Sequence, residues 1–286
     1  HRYSSPMFKV VAATGLGLGM LTNQYGSSDG KTLLLQTGLP PKYLKADKKS
    51  LKKALAGDHD FSITIGNVTQ RMTFTLPEEN ISVMAQPLGT LLSISTDNKG
   101  RLIKDAIKYT TSNVLIFDAG FGTLDTFDLR NRFVENQETS DEVGMKAVLE
   151  ETKTQIFNKY GEDVSVVAMQ KVLEDGFIVM FDEENMISEK IEIADILEEA
   201  NEKICDKAIA KVKEYTSSLR DHQYLVVTGG TGDAWFEQIK RHFSGMATLN
   251  VVSGNQNDTL PIVYSNVRGY YMYQYNKIKA DVSKDI

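Results

Sequence analysis

Val114-Leu115-Ile116-Phe117-Asp118-Ala119-Gly120-Phe121-Gly122-Thr123-Leu124-Asp125 joins a buried strand to a glycine turn the size of a phosphate, and the other segments take their places around it. Four apolar residues in a row without polar alternation predict a strand covered on both faces, which puts the Asp118 carboxylate at its C-terminal end. That end is where α/β proteins place ligands. Gly120 and Gly122 lack a Cβ, so the turn is free to take positive φ and bring backbone N–H groups against an anion, with the Thr123 hydroxyl as a further donor. Thr123 to Leu129 and Arg132-Phe133-Val134, separated by Arg130-Asn131, then predict a three-stranded antiparallel meander. An ordinary Asp/Gly hairpin turn is the competing reading of this stretch alone.

With 286 residues and 41% hydrophobic content, the chain is long enough for about two domains of a soluble globular protein. A net charge of −6 and a pI near 5.4 argue against direct nucleic-acid binding through a large basic face. The single cysteine, Cys205, excludes an internal disulfide and a thiolate metal cage, and His1, His59, His222 and His242 have no ligand spacing. No apolar stretch approaches a membrane span and the N-terminus has no signal pattern, so the expected location is the cytoplasm, without a membrane.

Ser4-Ser5-Pro6 predicts a capped helix whose apolar positions are Met7, Val10, Val11, Leu18 and Leu21, with Gly15, Gly17 and Gly19 there for close packing. A strand at Thr32–Gln36, a turn at Thr37-Gly38-Leu39-Pro40 and a Lys-rich helix near Lys42–Ala56 follow. Phe61–Ile65 and Met72–Leu76 alternate around Gly66-Asn67 as a hairpin. Ile81–Ala85 is a strand that runs into a helix at Gln86-Pro87. The polar segment from Thr96 to Lys108 marks a lobe boundary, with the second domain from residue 112. Beyond the meander the spacing predicts helices over Ser140–Tyr160 and Val164–Leu173, a strand at Phe177–Phe181, and the strongest helix, Ile193 to Tyr215, whose charged positions read as a solvated face. Tyr224–Thr228 enters Gly229-Gly230-Thr231-Gly232 and leaves in a helix over Ala234–Phe243. Leu249–Val252 is the last strand, and Ser265-Asn266 caps a closing helix.

Glycines before a helix N-terminus favour an anion through orphan N–H groups and the dipole. Gly229 to Gly232 lies too late in the chain for a dinucleotide fingerprint. Gly30-Lys31-Thr32 has the tail of a Walker loop, but Tyr25 stands where its first glycine belongs, which makes it a chance match. No Gly-x-Ser-x-Gly elbow supports a hydrolytic triad.

Taken in order, these motifs resemble the actin, heat-shock chaperone and sugar kinase superfamily, and specifically its plasmid-segregating bacterial actins of the ParM type. Asp118–Asp125 is similar to that superfamily's second phosphate loop, Val226–Gly232 to its adenosine loop, and Gln86-Pro87 to the helix start facing the γ-phosphate. Thr37-Gly38-Leu39-Pro40 and Ser265-Asn266-Val267-Arg268-Gly269-Tyr270 resemble the plasmid-segregating branch in particular. The resemblance covers nearly the whole chain, with one departure. The first phosphate loop of the family, an Asp-x-Gly-x-Gly turn, does not precede the second, so the N-terminal part of lobe one is expected to be missing and the 286 residues to be an incomplete ATPase.

What the resemblance implies is a two-lobed α/β actin-like ATPase fold with ribonuclease H-like lobes and a nucleotide in the cleft between them. Residues 1–111 would form the remainder of lobe one, 112–264 lobe two with the nucleotide loops, and 265–286 a closing helix returning to lobe one. The implied function is a Mg-dependent ATPase whose hydrolysis is coupled to assembly of a cytoplasmic filament, driving plasmid segregation through a DNA-binding adaptor. ATP is the expected nucleotide, with GTP as the other candidate. Asp118 would bind Mg²⁺ through water. Gly120, Phe121, Gly122 and Thr123 would hold phosphate oxygens, Gly229, Gly230, Thr231 and Gly232 the nucleoside side, and Gln86 would orient the attacking water. A helix-capping amide is the plainer reading of Gln86. Arg268 and the tyrosines after it read as packing of the closing helix. The rival class is a sugar-type kinase on the same fold, with Asp118 as base. A chaperone-like ATPase is disfavoured, since no peptide-binding domain is expected after residue 286.

Overall fold

The computed structural model describes residues 2–21, 33–131, 133–182 and 184–282; the Walker-like Gly30-Lys31-Thr32, with Tyr25, lies outside them. In α1 (Pro6–Met20) the Ser5 hydroxyl accepts from the Phe8 amide and Pro6 fills the first turn, where a missing N–H costs nothing. The stripe Met7, Val10, Val11 and Leu18 stays exposed, and α1 packs through Phe8 and Ala12 instead. Of its glycines only Gly17 needs to be small: a Cβ there would lie 3.0 Å from the Phe61 ring, whereas Gly15 and Gly19 meet nothing within 4 Å.

After α1 come β1 (Leu35–Leu39), α2 (Pro41–Leu55), the hairpin of β2 (Gly57–Ile65) and β3 (Val68–Leu76), β4 (Ile81–Ala85) and α3 (Gln86–Ser95). β1 starts later than its leucines suggest and takes in Thr37-Gly38, because its ladder is set by β4: Leu35 pairs with Ile81 and Gly38 with Met84, in parallel. Leu39, Leu51, Leu55, Leu76, Ile81 and Val83 close the core of this part.

The contact pattern divides the chain into two compact units, residues 1–92 with 266–286 and residues 93–265. Residues 93–111, expected in the first lobe from the polar segment, group with the second unit. That unit runs α4 (Ala106–Thr111), β5 (Val114–Ala119), β6 (Leu124–Arg130), β7 (Phe133–Ser140), α5 (Met145–Tyr160), α6 (Val166–Asp175), β8 (Phe177–Asp182), β9 (Ile187–Glu192), α7 (Ala194–Tyr215), β10 (Tyr224–Thr228), α8 (Gly230–His242) and β11 (Asn250–Ser253). Its sheet has the order β11-β10-β5-β6-β7, parallel from β11 to β5 and antiparallel through the meander. Val114 to Phe117 are at most 1% exposed, so each contributes about 1.5–3 kcal/mol of burial. Ala200, Ile204, Ala208 and Val212 of α7 and Trp235 of α8 pack into the same core as Leu115 and Phe117. β9 is not expected from sequence because Ile187-Ser188-Glu189-Lys190-Ile191-Glu192 is charged and almost wholly exposed; it is held by its antiparallel pairing with β8 and by Ile191, which packs on the core around Ile156 and Met169.

The closing helix α9 (Ser265–Val282) completes the first unit. A Cβ on Gly269 would run into the carbonyl of Gly89, and one on Gly89 would lie 2.5 Å from the Asn266 carbonyl oxygen. The Asn266 Oδ1 accepts from the amide and hydroxyl of Thr90, at 3.1 and 2.8 Å. Tyr270 covers Gly38, so the Thr37–Pro40 and Ser265–Tyr270 motifs meet in one packing knot. No described helix is long and apolar enough to cross a membrane.

Candidate functional site

β5 and β10 run side by side with Thr228 opposite Asp118, and both strands end in glycine turns at the same edge of the sheet. The structure therefore brings together the residues expected from two distant motifs. Asp118 is 7% exposed, and the backbone of Gly229 lies directly on its carboxylate: a Cβ on Gly229 would sit 2.7 Å from the Asp118 Oδ1 and would strike the Ala119 carbonyl. Gly229 has φ +86°, a conformation natural only to glycine. Gly230-Thr231-Gly232 are not loop: they form the first turn of α8, which starts four residues before the expected Ala234. The Thr231 hydroxyl donates to the Gly120 carbonyl at 2.8 Å, tying one turn to the other.

The first turn is held from behind. Its Gly120 amide donates to the Thr123 carbonyl at 2.8 Å, while the amides of Met145 and Lys146 in α5 donate to the carbonyls of Gly120 and Phe121 at 3.3 and 2.7 Å. With those carbonyls engaged, the N–H groups of Phe121, Gly122 and Thr123 have no protein acceptor among the described residues. Gly122 has nothing within 4 Å of a would-be Cβ, so this row of donors meets open space. Successive unengaged N–H groups are the chemistry of an anion nest.

Two expectations are corrected here. Neither Gly120 nor Gly122 takes positive φ; the left-handed glycine belonging to this turn is Gly144, at φ +144°, whose absent Cβ would lie 3.0 Å from the carbonyls of Gly120 and Phe121. The Thr123 hydroxyl is not a spare donor, because it reaches the Asp125 carboxylate at 3.2 Å, alongside Thr139. Thr123 offers its amide instead.

Gly144 and Gly254 escaped the sequence reading. Gly144 sits 21 residues past Thr123 with no motif around it (144 − 123). Gly254 follows β11 as Gly229 follows β10, and a Cβ there would lie 2.8 Å from the Ser265 Oγ and 2.9 Å from the Thr228 Oγ1. The signal, a third strand-end glycine, was present. Thr228, 1% exposed, keeps a hydroxyl with no hydrogen-bond partner among the described residues.

Gln86 belongs to the first unit. It opens α3 half-buried, its Cγ beside Gly38, and its amide makes no hydrogen bond among the described residues, so it does not cap its helix. No cluster of three or more metal-ligating side chains occurs among the described residues. Burial pushes the Cys205 thiol up to about 12, with Asp206 and Glu202 adding to the shift, which leaves it inert as a nucleophile. Cavities of about 500, 480 and 310 Å³ are lined by other residues.

The fold matches solved structures along almost the whole chain. The non-polymerisable quadruple mutant of pCBH ParM superposes with a TM-score of 0.72 at 19% identity, over 96% of this chain and 76% of that one. The fold is that of the actin-like proteins. A subunit of the 15-stranded ParM filament from Clostridium botulinum matches with a TM-score of 0.68 at 19% identity, covering 94% of this chain and 74% of that one. The archaeal actin homolog Ta0583, in its complex with ADP, matches with a TM-score of 0.67 at 15% identity over 96% and 79% of the two chains. Residues 1–89 match the family model for the N-terminal domain of actin-like proteins. A search of curated proteins gives no significant match. The resemblance to the actin-like proteins read from the motifs is thus met at the level of fold.

Proposed function

We propose that this actin-like protein binds and hydrolyses ATP and assembles into a cytoplasmic filament that segregates plasmid DNA through a separate DNA-binding adaptor. The observation that carries the nucleotide part is the row of unengaged amides at Phe121, Gly122 and Thr123 beside the Asp118 carboxylate, with Gly229 bare against it. Such donors suit triphosphate oxygens, and one carboxylate beside them suits a magnesium ion that keeps most of its waters. Bound there, Mg²⁺ would neutralise charge on the phosphate oxygens. Asp118 would hold that ion through water, the turn amides would orient the phosphates, and Gly229 to Gly232 would let the nucleoside approach backbone. Gln86, whose amide is uncommitted, is assigned to orienting the attacking water.

Support for assembly comes from relatives that share the fold: one is a subunit of a filament and another was made non-polymerisable by mutation. The test is equilibrium binding of a fluorescent ATP analogue to the full-length protein with and without Mg²⁺, run beside sedimentation of the full-length protein with ATP. Mg²⁺-dependent binding and an ATP-dependent pellet are expected. A protein that neither binds the analogue nor pellets would overturn the reading.

A further inference from the structure

The Lys-rich helix α2 has no role in the site. Lys42, Lys45, Lys48, Lys49 and Lys53 are exposed along it and Lys52 is half-exposed, against one acidic residue, Asp47, which is engaged by the Tyr3 hydroxyl. Lys45, Lys48, Lys49, Lys52 and Lys53 have no ion-pair partner among the described residues. Lys45–Lys49, Lys48–Lys52 and Lys49–Lys53 are like charges one helical turn apart, an arrangement that weakens a helix by repulsion. A face like this gains stability when an anionic surface covers it.

The chain carries a matching surface. On α7, Asp195, Glu198, Glu199, Glu202 and Asp206 are exposed at i, i+3, i+4, i+7 and i+11, which is a single stripe. Asp206 accepts from Gln238, and the other four have no cationic partner among the described residues. From Lys42 to Lys53 and from Asp195 to Asp206 there are eleven helical steps in each case (53 − 42 and 206 − 195), or about 16 Å of helix. One belongs to the first unit and the other to the second.

We propose that the two stripes are the halves of a head-to-tail contact between copies of this protein, α2 of one copy lying on α7 of the next. The inference rests on the filament reading above and names the surfaces that carry it. A second copy fits better than a polyanion, because a chain of net charge −6 repels nucleic acid and a nucleic-acid role for α2 leaves the α7 stripe without one. Two different patches that complement each other form a heterologous contact, which propagates as an open chain unless its rotation closes a ring. Opposed charges of this kind set partner choice and register more than raw affinity.

Two charge-reversal variants test it: Lys45→Glu/Lys49→Glu/Lys53→Glu, and Glu198→Lys/Glu199→Lys/Glu202→Lys. Each alone puts like charges together and should raise the critical concentration for ATP-dependent assembly at least about tenfold. An equimolar mixture should assemble again as an alternating polymer, since every contact then joins opposite signs. Wild-type assembly should also weaken as salt rises from about 50 to about 500 mM, where the Debye length shrinks to a few ångströms. Far-UV circular dichroism checks the fold; if a reversal variant melts early, the neutral Lys45→Gln/Lys49→Gln/Lys53→Gln variant replaces it, with the same direction expected. Variants that assemble like wild type, or a mixture no better than its components, overturn the contact. So does loss of binding to a duplex DNA probe by the lysine variant with assembly unchanged, which would make α2 a nucleic-acid face. Wild-type protein that never assembles overturns the filament reading itself, an outcome distinct from variants that assemble unhindered.

Discussion

Gly229 and Asp118 touch through backbone and carboxylate with no side chain between them: a Cβ at Gly229 would lie 2.7 Å from the Asp118 Oδ1. Two strands, β5 and β10, thereby share one ligand edge. Asp118→Ala should abolish Mg²⁺-dependent nucleotide turnover while far-UV circular dichroism stays that of wild type, because the residue ends a strand. Gly229→Ala forces an L-residue to φ +86°, at about 1–2 kcal/mol, and pushes the turn off the carboxylate. Its affinity for a fluorescent ATP analogue should fall about tenfold or more. Turnover unchanged in Asp118→Ala would return this stretch to an ordinary hairpin turn.

Gln86 separates filament from kinase. Losing a group that orients water costs about 10²-fold in rate, roughly 2.7 kcal/mol of barrier. Gln86→Ala should therefore release phosphate about a hundredfold more slowly, bind nucleotide normally, and form polymer that outlives wild-type polymer in a light-scattering time course after limiting ATP. If scattering decays and phosphate appears at wild-type rates, the amide has no catalytic part.

Gly269→Ala places a methyl group on the Gly89 carbonyl, where α3 and α9 cross. Overpacking of this kind costs about 1–3 kcal/mol. The thermal midpoint should drop by several degrees. The exposed helix position Lys277→Ala serves as the control and should leave it unchanged. An equal midpoint for Gly269→Ala would mean that α9 does not need this crossing.

His222 is fully buried and its Nε2 lies 2.9 Å from the Oδ1 of Asp128, itself 3% exposed, with the Arg130 guanidinium 3.5 Å from the other oxygen. Removing one partner of a buried pair strands the other, typically at about 3–5 kcal/mol. His222→Leu should lower the unfolding free energy measured in urea by that order, and Asp128→Asn by clearly less, since an amide still hydrogen-bonds the imidazole. Equal effects from both would assign the pair no particular value.

Residues that act through local rules were legible in sequence. Val114 to Phe117 declared a strand covered on both faces, Ser5-Pro6 declared a helix start, and Gly66-Asn67 a hairpin, and all are in place. What depended on distant partners was not. The start of β1 is set by Ile81 on β4, and the exposed side of α1 by which of its faces Phe61 and the core meet. Gly144 has its reason in Gly120 and Phe121, which no spacing rule connects to it. At Gly230 the glycines read as loop, yet glycine is tolerated in a first helical turn, so α8 begins there.

The crossing of Gly89 and Gly269 has a consequence for the order in which the protein is made. From the end of α3 at Ser95 to the start of α9 at Ser265 the ribosome adds 170 residues (265 − 95), which at about 5–20 residues per second takes on the order of 10–30 s. Through that interval Gly38 and the Gly89 carbonyl wait uncovered, while the intervening strands and helices have all they need to pack. The second unit can therefore mature first, and the first is finished only once α9 has emerged. Any surface on that first unit used for assembly is kept out of service until α9 has been made, so that building the second unit and polymerising the subunit are separated in time.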